Sequence, residues 1–313
     1  MTVSSSVGEL ADEASIDPGV FLPDAGEVQG PKATWRLAAR SFRDNRLAVV
    51  GTGILVFFFL FCFVGPLIYH TNQISTNIAN AYYPPSAKHL LGTDGNGFDE
   101  LGRIMVGGQA ALEIGLFSSF IATVLGTLVG AVAGLLGGVV DAILMRIVDV
   151  LLSVPLLFVI LIIGDRFSNA TVLSLSLIIG SFSWLVSARL VRGEVLSLRE
   201  RDFIFASRTM GASRHHLIYK HLIPNALGVV IVNITFQVAD AINLLAILGF
   251  LGYGLQYPQV SWGDMLSGAL NYLPDGYWWV VYPVGICLVL VVMACNFVGD
   301  ALRDTVDVRL RRR

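Results

Sequence analysis

Asn233, Gln237 and Asp240 lie four and three residues apart inside an otherwise apolar run, with Asn243 close behind. At helical spacing the first three share one face, and Asn243 lies near it. A carboxylate and amides turned the same way in an apolar helix suit reversible contact with a cavity, a polar solute or a polar neighbour. The stripe is therefore the candidate for lining a path. Two alternatives keep it structural: Asp240 already solvated near a helix end, or paired with an adjacent subunit. Bond-making sites do not emerge from the sequence. It has no GxxxxGK[ST] phosphate loop, no HExxH and no GxSxG. Cys62, Cys287 and Cys295 all sit in apolar runs without CxxC spacing, and read as small buried residues. His215, His216 and His221 cluster, but His216 and His221 are five apart, a poor match to two metal ligands on one helical face. They read as loop or interface residues. Without the phosphate loop the chain is not expected to bind ATP in the manner of a P-loop enzyme, and no metal site is expected.

The elements that must position the stripe follow from composition. Of 313 residues, 55% are hydrophobic and only 14% charged, and the mean hydropathy is +0.70. The apolar residues come in runs near the roughly 20 residues that cross a bilayer. The runs predict helices over about 47–69, 110–136, 142–164, 171–191, 227–251 and 278–300. In lipid each must be helical, because an unpaired backbone group has no water to bond. The fold class is thus all-α integral membrane, with about six transmembrane helices.

Small residues four apart mark two of these runs. Ser118, Ala122, Gly126, Gly130 and Gly134 form one row, and Ser176, Gly180, Ser183 and Ser187 form another. Such rows let helix backbones approach closely. Asp141, Arg146 and Asp149 sit near a helix start and read as structural, with Arg146 and Asp149 spaced to be helix neighbours.

Charge sets the orientation. Eighteen of the 21 Lys and Arg residues fall in the N-terminal tail, near Arg146, between Arg189 and Lys220, and in the C-terminal tail. Only Lys88, Arg103 and Arg166 fall on the other side. The positive-inside rule then predicts both termini and the 192–226 loop in the cytoplasm. The basic run in that loop is interrupted by Glu194, Glu200 and Asp202, which argues for topogenic charge and against nucleic acid. The first apolar run begins too deep for an ordinary cleaved signal and is expected to stay as an anchor. Residues 1–30, rich in Ser, Gly, Asp and Glu, are expected to be a disordered cytoplasmic tail. Residues 31–46 mix Trp35, Leu37 and Phe42 with Arg36, Arg40 and Arg43, and predict an interfacial helix on membrane lipid.

One polar stretch between two apolar runs is unusually organised: DFIFASRTMGASRHHLIYKHLIPN, residues 202–225. It predicts a short helix, a glycine turn and a second helix ending at Pro224, a shape suited to docking a soluble partner. It resembles the cytoplasmic coupling loop of bacterial ABC importer permeases, E-A-A, three residues, Gly, nine residues, I-x-L-P. The spacing is kept, with Phe205 in place of the usual acid and His221 in place of the usual isoleucine.

Further segments resemble the C-type permease of dipeptide and oligopeptide ABC importers. GTDGNGFD at 92–99 is similar to G-T-D-x-x-G-R-D, with Phe98 at the arginine position. The stretches 134–155, 188–204, 248–266 and 296–310 also resemble that family, with Val308 at a proline position. In order, these segments cover most of 35–313. The family often has an acid shortly before its L-S-F-L-G-L-G segment; here Leu244, Leu245 and Ala246 are apolar, and Asp240 is the nearest substitute.

The resemblance implies a type I ABC importer permease domain over 47–313, with a core at 110–300 and the coupling loop at 192–226. It implies pairing with a homologous permease around a shared path, two cytoplasmic ABC ATPases that use ATP and Mg, and an extracytoplasmic substrate-binding protein that delivers peptide. It places the chemistry on the ATPases, so this chain is expected to have no catalytic residues and no cofactor of its own. It assigns Phe205, Ala206, Ser207, Gly211, Ala212, His221 and Pro224 to ATPase coupling. Asn233, Gln237, Asp240 and Asn243 remain the candidates for the path. The same architecture could carry nickel chelates, glutathione or another small solute. A self-contained secondary transporter would call for inverted repeats with broken helices and would leave the organised loop unexplained. The 70–109 and 252–277 segments are candidate contacts for a binding protein, and Trp278 and Trp279 suit interfacial anchoring.

Overall fold

The computed structural model describes residues 40, 42–164, 170–211, 213, 216, 220 and 223–311. The tail expected over 1–30, most of the interfacial helix expected over 31–46, and Ala212, His215 and His221 lie outside the described residues. The helices in chain order are α1 (Arg46–Phe63), α2 (Gly65–Ile68), α3 (Glu100–Leu136), α4 (Gly138–Ser153) and α5 (Leu156–Gly164). They continue with α6 (Val172–Arg199), α7 (Asp202–Thr209), α8 (Ile223–Phe250), α9 (Trp262–Ala269) and α10 (Tyr282–Arg311). Among the described residues no strand forms; one isolated bridge joins Thr93 and Asp99.

Five helices are long and apolar enough to cross a membrane, and α4 with α5 makes a sixth candidate. This last pair corrects the single helix expected over 142–164. The chain bends by 78° between α4 and α5. Pro155 sits at the break, where a proline removes a backbone donor and disfavours helix in the residue before it. Two further helices outrun their apolar cores. α3 begins at Glu100 instead of near 110, because Asp99 caps it by accepting from the Gly102 N–H at 2.9 Å. α6 runs on to Arg199, so the start of the expected 192–226 loop is helical. Its start is fixed by a capping box between Thr171 and Ser174.

The connections sort to two ends of the bundle. The 69–99 and 251–281 segments lie at one end, where Trp279 Nε1 donates to Thr93 O at 3.3 Å. The α3–α4 turn and α7 lie at the other. Gly137 (φ +64°) and Gly138 (φ +56°) make that turn in the left-handed region, where a side chain is disfavoured.

The core runs between α1, α3, α6, α8 and α10, with Cys62, Ile104, Ile179, Ile242, Leu245 and Val291 almost fully buried. Its tightest seam is α3 against α6, and the two small-residue rows make it. Ser118, Ala122, Gly126, Gly130 and Gly134 are all buried on α3. A Cβ at Gly126 would strike Ser187, and one at Gly130 would strike the Ala188 carbonyl. A Cβ at Gly180 on α6 would lie 2.8 Å from Ser118 O. The backbones therefore touch where side chains would hold them apart. Ion pairs tie α4 to α6 beside this seam, and they are not the ones sequence spacing suggests. Asp141 and Asp149 of α4 pair across to Arg192 and Arg189 of α6, and not along α4 to Arg146. Arg192 grips Asp141 through both Nε and Nη2, the latter at 2.6 Å. Arg199 Nη1 donates to Gly134 O at 2.7 Å. Part of the charge counted as topogenic thus also ties helices together. By contrast, Phe57, Phe120 and Ile162 are more than half exposed, a surface for lipid or a membrane partner.

A paired substitution tests this seam. Gly130→Ala should destabilise the protein by about 1–3 kcal/mol through overpacking. Gly193→Ala on the same pair of helices, where a Cβ meets nothing within 4 Å, should be neutral or stabilising by up to about 1 kcal/mol. Thermal unfolding in detergent, followed by size-exclusion fluorescence, checks both.

Candidate functional site

The polar stripe of α8 divides in two. Asn233 and Gln237 are buried, and both turn to α6. Asn233 Nδ2 donates to Ser187 Oγ at 2.6 Å; Gln237 Nε2 donates to the same hydroxyl and to Ser183 O at 3.2 Å. In an apolar surrounding these bonds hold α6 and α8 in one register. Asp240 and Asn243, further along, are exposed. The structure thus places two of the four residues in a helix contact within the chain and leaves the other two on a free face. Ser187, noted in the sequence only as a small residue, is the hub of this contact.

At one end of the bundle α7 stands off from the long helices. Ile204 is its root, 1% exposed and packed with Leu198 of α6 and Ala226 of α8. Ala206 and Thr209 are exposed, Ser207 is half-buried, and Met210 just past the helix is 82% exposed. Gly211 follows with φ +81° and open space around it, the turn expected there. Phe205 lies on α7; its side chain, like that of Pro224, is outside the description. Pro224 follows the second helix expected in this loop, most of which lies outside the described residues. It lies in the first turn of α8, where proline's missing N–H costs no hydrogen bond.

The opposite end carries a site that the stripe and the loop do not include. A cavity of about 450 Å³ opens between the start of α3, the 94–96 turn, α9 and the segment around Tyr257. Asp94, Glu100, Arg103 and Asp264 line it, with Tyr82, Tyr257 and Tyr272 as aromatic wall. Asp94 Oδ1 accepts from the N–H groups of Asn96 and Phe98 at 2.9 and 2.8 Å, and Arg103 Nε lies 3.8 Å from Oδ2. Asp264 Oδ2 accepts from Ser261 N and Oγ at 2.9 and 2.7 Å, closing the capping box of α9. Burial raises the pKa of both aspartates above the ordinary carboxylate value, against these hydrogen bonds and the Arg103 charge, which lower it. The Arg103 guanidinium lies over the Phe98 ring, 4.3 Å from its centroid. The signal was in the sequence: Asp94, Glu100 and Arg103 all fall within GTDGNGFDELGR at 92–103. No local spacing links that run to Asp264, which joins it only through the fold.

The α9 segment is pinned beside this cavity. Trp262 is 1% exposed, donates Nε1–H to Ile104 O at 3.0 Å and meets Phe58 edge-on at 6.0 Å. Trp279 is likewise mostly buried, so its role is to clamp the loop and not to face an interface. Trp278 is half exposed.

A bundle of membrane-length helices with a braced helix at one end and a polar recess at the other defines a multi-pass membrane protein. The chain belongs to the family described as binding-protein-dependent transport system inner membrane component, which matches residues 126–312. The N-terminal TM domain of oligopeptide transport permease C matches residues 34–85. The oligopeptide transport system permease protein OppC of Bacillus subtilis is 38% identical, over 89% of this chain and 90% of the relative. The dipeptide transport system permease protein DppC of Alkalihalophilus pseudofirmus is 36% identical, over 88% and 90%. The Escherichia coli K12 OppC protein is 37% identical, over 91% and 94%. Among solved structures, the inward-facing MetNI methionine ABC transporter shares the fold. The TM-score is 0.53 at 22% identity, covering 65% of this chain and 96% of that one.

The Ser187 hub is open to a direct check. Ser187→Ala should lower stability by about 1–2 kcal/mol, since it strips a hydrogen-bond partner from two buried amides at once. Ser181→Ala, a hydroxyl that bonds only within its own helix, to Ile178 O, should cost little. Thermal unfolding of both variants beside the parent tests the difference.

Proposed function

We propose that this chain is one of two permease subunits of an ATP-driven importer of di- and oligopeptides. Its homologous partner would complete a path between the two. An extracytoplasmic binding protein would deliver the peptide, and two ABC ATPases would use ATP and Mg. The chain itself would bind no cofactor and catalyse no reaction. Both termini and α7 would face the cytoplasm, as the positive-inside rule requires, and the 69–99 and 251–281 segments would face outward.

The observation that carries this reading is the build of α7. The buried Ile204 roots it at the junction of α6 and α8, while Ala206, Thr209 and Met210 stay open. A partner that grips those residues would pull on two long helices together. Closure of the ATPases would then tilt α6 and α8 and switch the path between its two openings, a population shift driven by ATP's different affinity for the two states. Asp240 and Asn243, exposed on α8 beyond the Asn233–Gln237 contact, are the residues left to meet the path. Peptide as cargo rests on the names of the relatives.

Uptake of labelled di- to hexapeptides by the reconstituted assembly, with ATP turnover recorded and binding protein added or withheld, tests the whole reading. Peptide uptake should need both ATP and binding protein. Uptake of nickel chelates alone would replace the cargo, and uptake without the ATPases would overturn the coupling role of α7. Met210→Asp should cut uptake and its coupled ATP turnover about tenfold at unchanged membrane abundance, because a charge would be forced into the docked face. Asp240→Ala should alter uptake kinetics at equal abundance; identical kinetics would remove Asp240 from the path.

A further inference from the structure

The cavity at the outer end holds an electrostatic imbalance that the fold does not resolve. Its lining brings three carboxyl groups, Asp94, Glu100 and Asp264, against one cation, Arg103. Asp94 and Asp264 are occupied by local hydrogen bonds. Glu100 is not. It is 1% exposed, yet its carboxylate makes no hydrogen bond or ion pair among the described residues. Arg103 is 9% exposed, and its Nη1 also lacks a hydrogen-bond partner. Buried polar groups nearly always find partners, and an unpaired charged one is expensive. Arg103 keeps its ion pair to Asp94, so Glu100 is the group left without a bond at the cavity wall, and its partner is to be sought outside the chain.

The chemistry of the missing partner follows from the walls. Among the described residues no group of His, Cys, Asp and Glu is arranged to hold a metal ion. With acids in excess, the charge to be added is positive. Tyr82, Tyr257 and Tyr272 also line the cavity, and aromatic rings in a wall favour an organic cation over an inorganic one. The volume, about 450 Å³, falls within the roughly 300–1,000 Å³ of small-ligand sites and would admit the end of a peptide.

We infer that this cavity is a subsite for a peptide's ammonium group, with Glu100 as its counter-ion. The inference rests on the peptide-permease reading. The ammonium has two sources, the free amino terminus or a lysine side chain, and both satisfy the same walls.

The test uses the full chain paired with its partner permease in lipid nanodiscs, without binding protein. Three probes are titrated by calorimetry: trialanine, N-acetyl-trialanine, and N-acetyl-Ala-Lys-Ala. Trialanine should bind, and acetylation should weaken it at least about tenfold, the worth of a charge-assisted hydrogen bond. Recovery by N-acetyl-Ala-Lys-Ala would extend the site to lysine; no recovery would assign it to the amino terminus. Glu100→Gln should weaken trialanine by about tenfold as well. Gly268→Lys provides a second arm that leaves Glu100 in place. Gly268 lines the cavity, and a Cβ there meets nothing within 4 Å. The tethered ammonium should fill the site, abolish trialanine binding and raise the melting temperature.

Binding that ignores acetylation, or that survives both substitutions, would overturn the subsite. So would a Glu100→Gln effect confined to association with the binding protein. Peptide uptake by the complete parent assembly separates the two layers. Intact uptake without a response to Glu100 removes only the subsite. Glu100-dependent trialanine binding without peptide uptake keeps the cation site and removes peptide import.

Discussion

The close approach of α3 and α6 is the constraint from which the rest of the structure follows. Between lipid-facing helices there is no hydrophobic gain from leaving water, so association depends on packing and on polar bonds between helices. Glycine, alanine and serine at every fourth position let the two backbones meet over several turns. That contact fixes α6, and α6 in turn presents Ser187 to Asn233 and Gln237 of α8. It also brings Arg189 and Arg192 within reach of the acids on α4. The root of α7 sits where α6 and α8 come together, so its position is inherited from the same seam.

Much of this was legible from residue types. Runs of apolar residues located the spanning helices, and the four-residue rows of small side chains foretold the seam. What the runs could not show was where helices extend beyond the apolar stretch. Asp99 caps α3 ten residues before its expected start, with Glu100 and Arg103 in its polar first turn. Hydropathy has no reason to count such a turn as part of a span. The bend at Pro155 was likewise hidden, because the apolar run continues through it from Val150–Leu152 to Leu156–Ile163 and only the chain direction changes.

The site residues divide along the same line. Local spacing put Asn233, Gln237 and Asp240 on one face, but it could not tell that Ser187 would claim the first two. A hydroxyl forty-six residues from Asn233 becomes a partner only after the helices pack. The acid-lined cavity was less visible still. Asp94 and Asp264 come from distant stretches, and each alone reads as a turn or capping residue. Phe98, at a position where the resembling permeases carry arginine, adds bulk under the Arg103 guanidinium and no second cation.

The length of α3 has a mechanical meaning. Its 37 residues make a rod of about 55 Å, against about 30 Å for the hydrocarbon layer. It starts beside the acid-lined cavity and ends at the glycine turn near α7. Because Trp262 bonds to Ile104 and the Gly126–Gly134 stretch is seated on α6, the rod is tied to α9 near one end and to α6 near the other. A tilt of about 10° pivoted at one end would carry the other about 10 Å sideways. A small angular displacement imposed in one compartment would thus emerge as a displacement of molecular size in the other, with α3 as the lever.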